Sequence, residues 1–376
     1  MMKNRYTLKN LSLISGLLLL LSFAACKKDN NNNNNGGNNK PVTATPTKLG
    51  VYAVDSDIYK VLVMNISQVG TQSVNFLNPV YDTGSGGLVL DANGILPSNM
   101  ITATGFNFTN DSTVVDGITI TNQTNIVEYG DDSNTTDKVY GNLAYANVVV
   151  GDVNGSITIK RLPFFLYYKA VDSKGNKLPA HDFDVFGVSQ EYDITFSNNA
   201  YITSPFQYFD PGTGLTKGFK MAAIPQSQYS YQATYVPAIT VGLTSDDLSS
   251  SSGFTMSQLN FYQGEGYVPI IPATISYSGK SFNAAVLFDT GTEPYNYIED
   301  PTGPSTATLL SNGVAVSTML NSGFNYSFTT SATDYISYVE NPTNSGSNVT
   351  VMGLEFFLTN EYLLDFENHK MGLKKD

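Results

Sequence analysis

Most of the chain is written in short runs in which apolar and polar residues alternate, separated by clusters of Gly, Asn, Asp and Ser. Val61-Leu62-Val63-Met64, Gly117 to Thr121, Gly155 to Lys160, and Ala273 to Tyr277 ahead of Ser278-Gly279-Lys280 are examples. A period of two puts successive side chains on opposite faces of a pleated strand, and the abundant Tyr, Phe, Val, Ile and Thr suit such a surface. The body is therefore predicted to be all-β. Sustained helical periodicity is nearly absent; short helical stretches are expected only near Tyr208, at Ala307 to Leu310, and around Thr359 to Leu364. The pattern by itself says sandwich or barrel.

The N-terminus departs from this pattern. Lys3, Arg5 and Lys9 form a basic start, and Leu11 to Ala25 is largely apolar with small residues at its end. That is the layout of a secretory signal peptide, too short for a comfortable membrane span. Cys26, the chain's sole cysteine, follows Ala24-Ala25 and resembles the acylated cysteine of a bacterial lipobox, with Phe23 an imperfect fit. Residues 1–25 are read as the signal peptide. Residues 26–47 are read as a lipidated Cys26 with a disordered tether, because the Asn30 to Asn39 tract, broken by Gly36-Gly37, has little apolar surface to bury. A bacterial outer-membrane location is expected, anchored by lipid on the cell surface or the periplasmic face.

Composition narrows the partners. The formal net charge is −12 and no basic stripe exists, which argues against nucleic acid. With Cys26 committed to lipid, the exported body has no disulfides although its compartment permits them. His181 and His369 are the only histidines, and both are expected at the surface or in turns rather than on a metal. No Gly-x-Ser-x-Gly occurs, which disfavours a serine hydrolase.

Asp-Thr-Gly occurs twice. Asp82-Thr83-Gly84-Ser85 follows Val80-Tyr81, and Asp289-Thr290-Gly291-Thr292 follows Val286-Leu287-Phe288. Each is an apolar strand running into a tight turn and then a hydroxyl. Copies 207 residues apart suggest an internal duplication with one copy per lobe. Two carboxylates held about 3 Å apart cannot both ionise, so such a pair shares a proton and can hold a water between them. The ionised member takes a proton from the water as it attacks a carbonyl, and the protonated member donates to the carbonyl oxygen. Gly84 and Gly291 let the backbone N–H approach the carboxylate. Thr83 and Thr290 can bond across to the opposing loop, and Ser85 and Thr292 can bond the outer carboxylate oxygen.

At these residues the chain resembles the pepsin-like aspartic peptidases, and the likeness covers roughly residues 48 to 376. Ile126-Val127-Glu128-Tyr129-Gly130 is similar to the strand entering the family's flap, and Tyr140-Gly141-Asn142-Leu143 and Val148-Val149-Val150-Gly151 to the strands returning from it. Val185-Phe186-Gly187 and Val351-Met352-Gly353 look like the two segments that thread beside the catalytic loops. The ending, Gly353 to Leu373, is similar in order and spacing. The resemblance implies a bilobal pepsin-like fold with an N-terminal lobe over 48–230 and a C-terminal lobe over 231–376. It implies Asp82 and Asp289 as the catalytic pair, and Tyr129 and Gly130 as flap residues over a peptide or protein substrate. No cofactor or metal, a monomer, and activity at acid to mildly acid pH are also expected. The tether is too polar to fold as an inhibitory pro-segment, so no zymogen step is expected.

The chain also departs from that family. It lacks Trp altogether, so Gly86-Gly87-Leu88-Val89-Leu90 stands where a Trp commonly bonds the flap Tyr. Glu293 replaces a small hydroxyl residue, and Asp184 replaces a Gly. These departures keep a second reading open: a pepsin-fold surface lipoprotein that binds peptides or proteins without cleaving them. A two-domain adhesin or glycan-binding sandwich is a third, and it requires the two Asp-Thr-Gly turns to lie far apart.

Overall fold

The computed structural model describes residues 44–56, 59–129, 136–292 and 295–376. Cys26 with the signal and most of the tether, Gly130 at the tip of the expected flap, and Glu293 lie outside the described residues. No helix among the described residues is long and apolar enough to cross a membrane.

The all-β expectation holds. Among the described residues the largest sheet has 16 strands, and a second sheet of eight strands spans Ile270 to Met352. The four illustrative runs fall on the strands Tyr59–Val63, Ile118–Tyr129, Gly155–Val171 and Ile270–Tyr277, with only Met64 and Gly117 one residue outside. Both ends of the body meet in the large sheet. Thr47–Ser56 pairs with Thr234–Leu243, which pairs with Thr216–Met221, and that strand pairs with Asn360–Asp365 beside Lys370–Lys375. A common platform thus ties the N-terminal strands to the C-terminal ones; the first half's strands continue that same sheet, and the second half adds the eight-stranded one.

The platform is joined to the strand that carries Asp82 by buried aromatic rings. Phe219 lies 6.1 Å from Tyr362, 6.0 Å from Phe366, 5.3 Å from Phe206 and 6.4 Å from Tyr81. Rings of this size dominate core energetics and prefer the edge-on and tilted geometries seen here. Tyr81 immediately precedes Asp82, so the core fixes the strand that delivers the first carboxylate.

Two helical expectations are corrected. Thr308–Leu309 is an edge strand on Ile336–Glu340, and Asn360–Asp365 is a strand buried along most of its length between Thr216–Met221 and Lys370–Lys375. Tyr362-Leu363-Leu364 is a continuous apolar run, which has no period of its own; tertiary pairing on both sides selects the strand. The helical turn falls just earlier, as a 3-10 segment over Leu354–Leu358. The turn near Tyr208 is present as the 3-10 segment Pro205–Tyr208, with Pro at its first position where the missing N–H costs nothing.

Candidate active site

Each Asp-Thr-Gly turn is built around an inserted strand. Val80–Asp82 runs parallel to Val185–Val188, and Gly86–Asp91 runs antiparallel along its other side. The second half repeats the arrangement: Lys280–Phe288 is parallel, and Tyr295–Glu299 antiparallel, to Val349–Met352. The two segments predicted to thread beside the loops therefore do so. Gly187 is required there, because a Cβ would sit 2.7 Å from both the carbonyl and the hydroxyl oxygen of Ser85.

The two turns come together with near-twofold symmetry. The Thr83 hydroxyl donates to the Phe288 carbonyl at 2.9 Å, and the Thr290 hydroxyl to the Tyr81 carbonyl at 2.7 Å. In return the Thr83 N–H donates to Thr290 Oγ1, and the Thr290 N–H to Thr83 Oγ1, both at 3.0 Å. Gly84 N–H and Ser85 Oγ donate to the Asp82 carboxylate at 2.7 and 2.5 Å, and Gly291 N–H and Thr292 Oγ1 to that of Asp289 at 2.7 and 2.6 Å. All six supporting residues predicted from the sequence occupy these roles. A Cβ on Gly291 would lie 2.7 Å from the Asp82 carboxyl carbon, so only glycine lets the two loops approach this closely.

The carboxyls are each 1 % exposed and are joined by a hydrogen bond. Burial, then the charge of Asp289 and the bond to it, hold Asp82 well above the usual carboxylate range; Ser85 and Gly84 pull the other way. The result is a pair that retains a proton where isolated carboxylates have lost theirs. Its titration belongs to the pair, not to one member.

The threonine cross-bonds carry a prediction. Thr290→Val removes a donor to the Tyr81 carbonyl and an acceptor from the Thr83 N–H, both buried. Leaving those groups unpaired should cost about 2–4 kcal/mol, read as a lower midpoint in denaturant. An unchanged midpoint would mean the loops are held by something else.

Tyr129 ends the strand Ile118–Tyr129, which pairs with Asp137–Asp152 as a hairpin, Tyr129 opposite Asp137. Its ring is buried against Phe183 at 5.1 Å, in a cluster that includes Val89 from the stretch where the family's Trp would stand. Burial first, then the charges of Asp193, Asp82 and Asp184, keep its phenol neutral.

The departure at Asp184 has a structural role. Its carboxylate accepts the Asp91 N–H at 2.7 Å and meets His181 Nδ1 at 2.8 Å, while the His181 N–H reaches Asp91 at 3.1 Å. This knot, with both aspartates buried and His181 at the surface, pins the entrance to the threading strand. His181 and His369 both lie in turns with positive φ, and His369 stacks on Tyr267 at 3.5 Å.

Sequence reasoning missed Asp193 and Glu191. Asp193 accepts the Gly86 N–H at 2.5 Å, one residue past Ser85. The available signal was two acidic residues, Glu191 and Asp193, placed shortly after the segment that threads beside the Asp82 turn.

No family model matches the chain, and no curated protein sequence does so at a significant level. Solved structures do resemble it. An aspartic proteinase from Irpex lacteus superposes with a TM-score of 0.57 at 16% identity, covering 88% of this chain and 97% of that one. Basic 7S globulin from soybean gives 0.54 at 12%, covering 89% and 95%, and conglutin gamma, a unique basic 7S globulin from lupine seeds, gives 0.55 at 11%, covering 89% and 96%. At these identities the likeness is one of fold, and the fold is the bilobal pepsin-like one.

Proposed function

We propose that the protein is an aspartic endopeptidase in which Asp82 and Asp289 activate a water for attack on a peptide bond. The observation that carries this reading is the dyad: two buried carboxyls, one from each half, hydrogen-bonded to each other and each held by a matching N–H and hydroxyl. A chain that had only to keep the fold has no use for a like-charged buried pair, which costs stability. In the reaction the ionised carboxylate accepts a proton from the water as it attacks. The protonated partner donates to the carbonyl oxygen, and the proton then passes to the leaving amine. The extended peptide lies between the halves under the hairpin of residues 118–152, held by main-chain bonds with alternate side chains in pockets. We further propose that Cys26 carries lipid and tethers the enzyme to a bacterial membrane surface.

The test is incubation of the soluble body, residues 44–376, with a mixed peptide library from pH 3 to 7. Cleavage should be blocked by a statine-type transition-state analogue. A protein that keeps its fold and binds peptides but cleaves none would instead be a groove-forming binder.

A further inference from the structure

Beyond the threading strand the chain enters Gln190–Glu191, which pairs antiparallel with Gly266–Val268 (Gln190↔Tyr267, Glu191↔Gly266). This stretch is stitched to the residues just past the Asp82 turn. Ser189 N–H donates to the Ser85 carbonyl at 2.9 Å, the Gly86 N–H donates to Asp193, and the Glu191 carbonyl packs so closely on Gly86 that a Cβ there would collide with it. Tyr192 N–H bonds the Glu265 carbonyl at 2.8 Å, which brings a third acidic residue to the same edge.

Glu191 is 7% exposed, yet no described residue donates a hydrogen bond to its carboxylate. The charges that act on it are Asp193, Glu265, Asp82 and Asp289, all of its own sign. The charge of Asp193 also acts on Tyr129, at the turn end of the hairpin's first strand, and the charge of Asp289 acts on Asp193. Among the described residues, no ion pair with Lys, Arg or His involves Glu191, Asp193 or Glu265. Burial pushes Glu191 well above its ordinary range and Asp193 up to about 7. Burying an acid without a partner is costly, and a fold that retains one beside its reactive centre lacks a positive counterpart.

We propose that Glu191, Asp193 and Glu265 form an acidic subsite beside the catalytic pair that receives a lysine or arginine side chain of the bound peptide. This deepens the endopeptidase reading and rests on it. The buried Glu191 carboxylate, which takes no hydrogen bond from a described residue, would accept those of a guanidinium or ammonium, and desolvation makes that contact stronger than a surface ion pair. The protein's overall negative charge attracts any cationic peptide at long range, but that field is screened by salt, whereas a contact at Glu191 is not.

The test uses peptide pairs identical except at one position, arginine against citrulline and lysine against norleucine. That position is moved through the residues flanking the cut, at a salt concentration high enough to screen the general field. At one position kcat/KM should favour the cationic member by about tenfold, the size of a desolvated charge contact. Glu191→Gln should abolish that ratio, and Glu265→Gln, at an exposed position with little risk to folding, should reduce it by about threefold. Equal rates at every position, or a preference that survives both variants in folded protein, would overturn the subsite.

Peptide binding to Asp82→Asn protein, followed by fluorescence anisotropy, separates the two claims. If the unaltered protein cleaves nothing but the Asp82→Asn protein binds the arginine peptide over its citrulline twin, and Glu191→Gln removes the difference, the subsite stands and the peptidase reading falls. Equal binding of the twins discards the subsite whether or not cleavage is seen.

Discussion

Asparagine in place of Asp82 is expected to reduce peptide hydrolysis by about 10³–10⁴-fold while leaving the folded protein as stable as before, or more so, near pH 7. The loss follows from the shared proton. With an amide at position 82 the pair holds one carboxylate and no exchangeable acid, so either the water or the carbonyl oxygen lacks its partner. The gain in stability follows from burial. Asp82 is held against both desolvation and the charge of Asp289. An amide bears no charge, keeps an oxygen for the Gly84 N–H, and can donate to the Ser85 hydroxyl, which turns to accept. Removing the like-charge contact should contribute about 1–2 kcal/mol, a few degrees in melting temperature. The measurements are kcat/KM on the best library peptide and a thermal scan at pH 7. Asp289→Asn should lose activity to the same degree. Residual activity within tenfold of the parent in either variant would remove the dyad from the mechanism. Inactivity accompanied by unfolding would remove only the stability argument.

The paired Asp-Thr-Gly turns were legible in the sequence because they are made of local geometry. A strand, a turn closed by glycine, and a hydroxyl three residues after the acid set each carboxylate's own hydrogen bonds within four residues. The pairing of two such turns follows once each is seen to have a threading segment, Val185-Phe186-Gly187 and Val351-Met352-Gly353. What was not legible depends on neighbours distant in sequence. Leu363 and Leu364 intrinsically favour helix, and the ladders to Thr216–Met221 and Lys370–Lys375 override that preference. Asp184 read as a defect because its partners, Asp91 and His181, meet it only in the folded chain. Likewise Val89 reads as a missing aromatic, yet the structure packs it in one cluster with Tyr129 and Phe183. Glu191 and Asp193 looked like ordinary polar residues after a strand, and nothing local reveals that the strand delivers them to Gly86.

The same buried acids dictate how stability should change with pH. Burial is the first cause in every case: it lifts Asp82 and Glu191 well above their ordinary values, Asp193 and Glu355 to about 7, Asp182 to about 6, and raises Asp184 as well. A carboxyl with a raised folded-state pKa binds more protons folded than unfolded. Its contribution is therefore greatest below the unfolded value, near 4, and is lost as pH rises through the folded one. His181, raised by its bond to Asp184, acts in the same direction from pH 6.5 upward. Asp300, lowered to about 2, and Asp247, also lowered, act oppositely, but only below pH 4; both sit beside lysines, Lys280 and Lys220, that favour the ionised form. His369, lowered by burial, adds a small opposing term around neutrality. Maximum stability should then lie near pH 4–5. Between pH 5 and 8 the protein should lose at least about 3 kcal/mol, the share that two pKa units at Asp193 alone carry, about 4 °C in melting temperature for a body of this length. Thermal scans at constant ionic strength measure this directly, and Glu355→Gln, which keeps an acceptor for the Tyr335 N–H, should flatten the slope. A melting temperature that climbs steadily from pH 5 to 8 would mean that these carboxyls are hydrated or paired in the folded chain, and the acidic subsite would lose its physical basis with them.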